Sequence, residues 1–409
     1  MLWFMPAEEV TNHPILCKQI DEDTADNFIR AAFVRVCLFG SADFVKLILD
    51  YPISKQFDFN IRFNSECTLF MWACANGNKE VVKLLLEHSS LIQLDFNAKD
   101  SDGQTAFVRA CIGGRRNIVK AILDHSRCNP IDFNAIDNHR HTGFMWACHN
   151  GFTDVVKMIL DHSHDHQIDI NAKTKYGRTA FYYACSYGHK DIVKIFLDQS
   201  SSSQIDFNMM DNAGQTAFMQ ALKCGRTDVV RMILDHPNSN QIDVNVRDND
   251  GQTAFIWACK DGHKDVVKLL LDNSRFKEID INGKDNSLQT AFVWACSNGL
   301  KDVIKVLLDC PSNMIDFNAK NIFGRTGFMY ACGNGCVDVV KLLLNHQSYK
   351  QIDFNAKDNS RCNAFLWACS YGCKDVVQVL LQNSHIIDVR YPEFNNFPPF
   401  IKDVLKYWK

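Results

Sequence analysis

A short signature, Phe followed three and four residues later by Ala-Cys, returns along this chain at a fixed spacing. The position two before the phenylalanine falls at Ala31, Thr68, Thr105, Thr142, Thr179, Thr216, Thr253, Thr290, Thr326 and Asn363, a step of 37 residues everywhere except 36 between Thr290 and Thr326. Ten units of one length take up most of the 409 residues. Repeats of this size are supersecondary pieces that cannot bury their apolar faces alone and do so by stacking on their neighbours. A stack is not bound by the size limit of a single core, so the length does not demand two or three globular domains.

The unit can be read position by position. The phenylalanine, the alanine three on, the cysteine four on and the glycine seven on share one face of a helix of 3.6 residues per turn. That glycine stands in all ten units, from Gly40 to Gly372. It is expected to end the helix in the left-handed conformation that glycine adopts cheaply. A second amphipathic helix follows, as in Lys264-Asp265-Val266-Val267-Lys268-Leu269-Leu270-Leu271, with an aspartate in the first turn where the helix dipole favours negative charge. A polar loop leads to Ile-Asp-Phe-Asn, as at Ile205-Asp206-Phe207-Asn208, whose alternation predicts a short extended segment. Turn-forming residues such as Asp248-Asn249-Asp250-Gly251 close the unit.

Composition narrows the function classes. Hydrophobic residues at 46% and charged residues at 22% argue for a packed chain rather than disorder. A net charge of -3 with interspersed signs offers no footprint for a nucleic acid or an anionic membrane. No apolar run spans a bilayer, and Met1 to Pro6 meets Glu8 and Glu9 without a basic segment, so neither a membrane nor an export role is expected. The seventeen cysteines are therefore read as thiols of a reducing, cytoplasmic compartment. Nine of them (Cys37, Cys74, Cys111, Cys148, Cys185, Cys259, Cys296, Cys332, Cys369) recur in phase on the core face, with Leu222 in unit six.

The order Asp-x-x-Gly-x-Thr, first helix, Gly-His, then Val-Val-x-Leu-Leu-Leu resembles the ankyrin repeat. The resemblance covers residues 26–390 and implies an all-α ankyrin-repeat solenoid of helix-turn-helix units with finger-like β-turn loops. Residues 1–25 would form an N-terminal segment or cap. Residues 391–409, with Pro398-Pro399-Phe400 at their centre, would form a C-terminal capping helix. The chain departs from the family in several ways. Thr-Pro-Leu-His becomes, for example, Thr216-Ala217-Phe218-Met219. The unit is longer than the usual ~33 residues. Several fingers lack the turn glycine, with Arg140, Leu288 and Arg361 standing in its place, which predicts reshaped or more mobile fingers. The resemblance further implies a non-enzymatic, monomeric scaffold or adaptor that needs no cofactor or metal and binds a protein along a concave groove. It also makes the loop asparagines, Asn97 to Asn355, candidates for asparaginyl hydroxylation; otherwise their side chains are expected to hold their own turn by hydrogen bonds to its backbone.

Candidate contact residues follow from the helix geometry. Two residues after the phenylalanine, pointing away from the core and so expected to be exposed, stand Arg35, Trp72, Arg109, Trp146, Tyr183, Gln220, Trp257, Trp294, Tyr330 and Trp367. Such a stripe either contacts a ligand, being of the residue types found in binding hot spots, or folds over the adjacent repeat as packing. Variable finger tips (Asp102, His139, Tyr176, Ala213, Asp250, Ser287, Phe323) and helix ends (Tyr187 and Tyr371 among them) are where partner specificity is expected. His162, His164 and His166 lack the spacing of a zinc site and read as a solvated loop. No nucleophile elbow, phosphate loop or His-Glu-x-x-His motif breaks the repeat, so no catalysis is expected. Leu405-Lys406-Tyr407 resembles the end of a SOCS box, leaving a ubiquitin-ligase substrate receptor as the alternative function.

Overall fold

A computed structural model of the chain describes residues 42–50, 58–62, 64–125, 131–162, 167–199, 205–273, 279–311 and 314–389. The caps expected at residues 1–25 and 391–409, together with Arg35, Cys37, Gly40, His164 and His166, lie outside the described residues. The chain divides into two compact units, residues 1–180 and 181–409, each treated by itself. The first holds the helix Ala42–Asp50 and the pairs Leu69–Asn76 with Lys79–Glu87, Ala106–Ile112 with Arg116–His125, and Gly143–Asn150 with Thr153–Asp161. Ala180–Tyr187 with Lys190–Asp198 opens the second. Five more pairs follow, beginning at Ala217, Ala254, Ala291, Gly327 and Ala364 and closing with Lys374–Gln382.

The start and stop of each first helix have local causes. The hydroxyls of Thr68, Thr105, Thr142, Thr216, Thr253, Thr290 and Thr326 each accept from the backbone N–H three residues on, and the Asn363 side chain does the same for the last helix. Losing such a cap costs about 1 kcal/mol. At the other end, the glycines from Gly77 to Gly372 all have φ between 62 and 84°. The left-handed stop is therefore present in all nine described units.

The second helices bury one stripe, Val266, Val267 and Leu270 in the seventh unit, and turn lysines outward. The first helices are buried on nearly every side. In the second repeat Phe70, Met71, Ala73 and Cys74 are all enclosed. The reason is their position: Ala291–Ser297, for example, packs on Ala254–Lys260, on Gly327–Gly333 and on its own partner Lys301–Leu308. Small residues permit that close approach, and the in-phase cysteines behave as small hydrophobes. Burial pushes the Cys369 thiol up to about 12 and raises the other described in-phase thiols as well. Where the following loop carries a phenylalanine, the core phenylalanine meets it edge-on, Phe292 with Phe317 at 5.0 Å and Phe328 with Phe354 at 4.7 Å between ring centres.

Three expectations are corrected. The Ile-Asp-Phe-Asn segment is not extended; it is a turn, because the aspartate accepts the N–H two residues on, Asn208 to Asp206 at 2.9 Å. The asparagine that follows clamps the next repeat rather than its own turn. Asn318 donates to the Gln351 carbonyl at 2.8 Å and accepts from the Asp353 N–H at 2.7 Å. Asn134 and Asn208 make the same pair of bonds to Gln167 with Asp169 and to Gln241 with Asp243.

The third correction concerns the fingers without glycine, which are not reshaped. Arg140, Leu288 and Arg361 take φ of 63, 59 and 64°, the conformation the finger glycines have elsewhere. What changes is the neighbouring finger. A Cβ on Gly103 or Gly214 would meet the Oδ1 of Asn138 or Asn249 at 2.6 Å, and on Gly251 or Gly324 it would come closer still to Asn286 or Asn359. Those asparagines donate back to the finger they press against, Asn286 to the Asn249 carbonyl at 2.9 Å. After Arg140 and Leu288 the corresponding residues are Lys175 and Ile322. Glycine and asparagine thus go together as one inter-finger lock, and both members are given up together.

Candidate partner-binding face

A finger aspartate organises five of the stripe residues. In the seventh repeat Asp248 lies buried at the start of the finger. Its Oδ1 accepts the backbone N–H groups of Asp250 at 3.0 Å and Gln252 at 2.8 Å, and its Oδ2 accepts the indole N–H of Trp257 at 2.9 Å. Asp137 holds Trp146 in the same way at 3.0 Å, Asp285 holds Trp294 at 2.9 Å and Asp358 holds Trp367 at 3.0 Å. Asp100 pairs with Arg109 instead. A carboxylate with three donors and little water is strongly committed, and such charge-assisted bonds are the stronger kind.

The stripe is therefore not the exposed row its helical position suggests. Trp72, Arg109, Trp146, Trp257, Trp294, Tyr330 and Trp367 are half-buried, and Tyr183 and Gln220 are buried, at 4% and 7% exposure. The side chains of Arg109, Trp146, Trp257, Trp294 and Trp367 fold back onto the finger, where a buried carboxylate accepts them, and the Tyr330 hydroxyl accepts from the Asn321 amide. The ring faces are largely covered too. Lys223 lies 3.9 Å above Trp257, and Lys260 lies between Trp257 at 4.6 Å and Trp294 at 4.1 Å. Trp146 is stacked on His141 at 4.8 Å and meets His149 edge-on at 5.2 Å. Burial lowers the His141 pKa, against the opposing pull of Asp137.

The finger tips are open. Asp102, His139, Tyr176, Asp250 and Phe323 are all exposed. Tyr176 carries Lys175 at 5.0 Å and Arg178 at 5.5 Å over its ring, and the Lys175 Nζ lies 2.6 Å from His139 Nδ1. Tyr371, 64% exposed, is stacked 5.2 Å above Trp367. The finger aspartates had gone unnoticed as site residues, although a signal is present: an aspartate precedes the stripe residue by nine in the pairs 100/109, 137/146, 248/257, 285/294 and 358/367.

The model for ankyrin repeats (3 copies) matches this chain over residues 9–94, 31–137, 89–173, 144–248, 240–321 and 312–391. The chain belongs to the ankyrin repeat family. Ankyrin repeats are in general protein-interaction modules, and the family is usually non-catalytic. No curated protein matches the chain. Among similar solved structures is the ankyrin repeat domain of Bcl-3, described as a unique member of the IkappaB protein family. It is 20% identical, with a TM-score of 0.49 over 59% of this chain and 98% of that one. No helix among the described residues is long and apolar enough to cross a membrane.

Proposed function

We propose that this ankyrin protein is a non-enzymatic scaffold or adaptor whose partner protein lies against the fingers and the ends of the first helices. The observation that carries this reading is where large apolar side chains reach solvent. Of nine such exposed residues among those described, six (Tyr176, Tyr187, Leu288, Ile322, Phe323 and Tyr371) sit on fingers or at the ends of first helices. A soluble surface that gathers its apolar residues on one set of elements usually does so to make contacts there. Under this reading Trp72, Arg109 and Trp146 form a rigid floor in the first unit, and Tyr183, Trp257, Trp294, Tyr330 and Trp367 form one in the second. The tips Asp102, His139, Tyr176, Asp250 and Phe323 supply its specificity.

The test compares affinity capture by the wild-type chain with capture by a Tyr176→Ser, Phe323→Ser, Tyr371→Ser variant, with thermal melting run on both. Partners lost at an unchanged melting temperature support the reading. A variant that keeps every partner overturns it.

A further inference from the structure

Repeat nine departs from the pattern that governs the other fingers of the second unit. Its finger, Asn321-Ile322-Phe323-Gly324-Arg325, contains no acidic residue, and asparagine stands where the buried aspartate belongs. Asn321 Oδ1 still holds the turn, accepting from Phe323 N and Arg325 N at 3.0 Å each. Its Nδ2 donates to the Tyr330 hydroxyl at 2.8 Å. The geometry is preserved while the negative charge is gone.

Arg325 is what that change leaves uncompensated. Its guanidinium lies 3.9 Å above the Trp367 ring and 5.1 Å from the Phe323 ring. Its Nε is buried without a hydrogen-bond partner, and no carboxylate pairs with it among the described residues. The carboxylate of the adjoining finger is fully engaged: Asp358 gives Oδ1 to the Ser360 and Cys362 N–H groups and Oδ2 to the Trp367 indole. Arg109, in the first unit, is by contrast paired with the finger carboxylate of Asp100. A guanidinium over an aromatic ring can still offer its terminal N–H groups to a planar anion.

Beside this cation the fingers are apolar. Ile322 and Phe323 are 48% and 52% exposed, and Leu288 on the preceding finger is 44% exposed. Leu288 holds a left-handed conformation, which is strained for a branched side chain. Ile322 takes the place of the locking asparagine, and its N–H bonds the Ser287 carbonyl at 3.0 Å. The inter-finger lock has thus been exchanged for two solvent-facing aliphatic side chains.

We infer that the repeat-nine finger is the anchor of the partner site and takes a short peptide segment in which a carboxylate neighbours an aliphatic or aromatic residue. The carboxylate pairs with Arg325, and the apolar side chain rests on Ile322, Phe323 and Leu288. This rests on the interaction reading above and adds to it the chemistry of the partner.

The experiment selects phage-displayed random short peptides on the full chain and resynthesises the strongest binder with and without its acid replaced by the matching amide. Binding is then measured to wild type, Arg325→Gln and Asn321→Asp. The last variant restores the residue that other fingers carry, so it is expected to melt like wild type while supplying Arg325 with an internal carboxylate. Acidic-apolar peptides whose affinity falls by about tenfold or more with either variant, and with the amide peptide, support the inference. Peptides indifferent to all three changes overturn it. If they instead lose binding on Tyr176→Ser, the interaction face stands and the anchor alone fails. A selection that yields no peptide defeats both.

Discussion

Repeats seven and nine share one backbone and one hydrogen-bond scheme, yet they offer different surfaces. In repeat seven the finger carboxylate, the indole N–H and the indole ring are all engaged: Asp248 holds Trp257, and Lys223 and Lys260 lie over its ring. In repeat nine the same scaffold is built with neutral groups, Asn321 and Tyr330, and the cation beside it is left without an anion. The difference shows that an aromatic residue on a helix face does not by itself make a contact site. Availability depends on how many of a group's bonding options are already met within the fold.

The comparison can be broken in several places. The largest effect is expected from the buried carboxylate. Asp248→Ala removes an acceptor serving two backbone N–H groups and an indole, and should lower unfolding free energy by about 2–4 kcal/mol. Asn321→Ala, which removes neutral bonds only, should cost about 1–2 kcal/mol. Denaturant titration of both decides, and equal losses would remove the charge-based distinction between the two repeats.

Next in size is the inter-finger lock. Gly251→Ala forces a Cβ against Asn286 at positive φ and should cost about 1–3 kcal/mol. Leu288→Gly, whose neighbour is already Ile322, should gain about 0.5–1 kcal/mol as left-handed strain is relieved. A destabilised Leu288→Gly would mean that the leucine packs for stability rather than standing ready for a partner.

A smaller effect is expected at Lys260→Ala, which uncovers one face each of Trp257 and Trp294 and should cost about 0.5–1 kcal/mol. Indole quenching by iodide should rise at the same time if those faces become open to solvent. The smallest concerns pH. Because burial lowers the His141 pKa below its ordinary value near 6.5, its neutral form is favoured in the fold. Its contribution is therefore present above about pH 6.5 and lost as pH falls through that value toward the lowered one. His141→Gln, matching Gln252 and Gln289 at the same position, should flatten the fall in melting temperature between about pH 7.5 and pH 5.5.

The architecture was open to sequence reasoning because each repeat states its local rules nine or ten times. Threonine before the helix, glycine after it, and Val-Val with leucines in the second helix are choices about caps and periodicity, which act within a few residues. The stripe residues are less exposed than their helical position predicts. Helical phase gives the direction of a Cα–Cβ bond, while Trp257 is turned by an aspartate nine residues earlier, across a finger. The fingers lacking glycine were misjudged for a related reason. Whether Leu288 could hold the left-handed turn depended on Ile322 standing in the next repeat in place of asparagine.

Sequence alone was enough for the repeat, its two helices, their ends and the family, since those follow from short-range patterns summed over many copies. Which polar groups remain unsatisfied, and hence which finger can take a partner's charge, was decided only in the tertiary structure. The bonds that satisfy or strand a group such as Arg325 come from residues in other helices and in the neighbouring repeat.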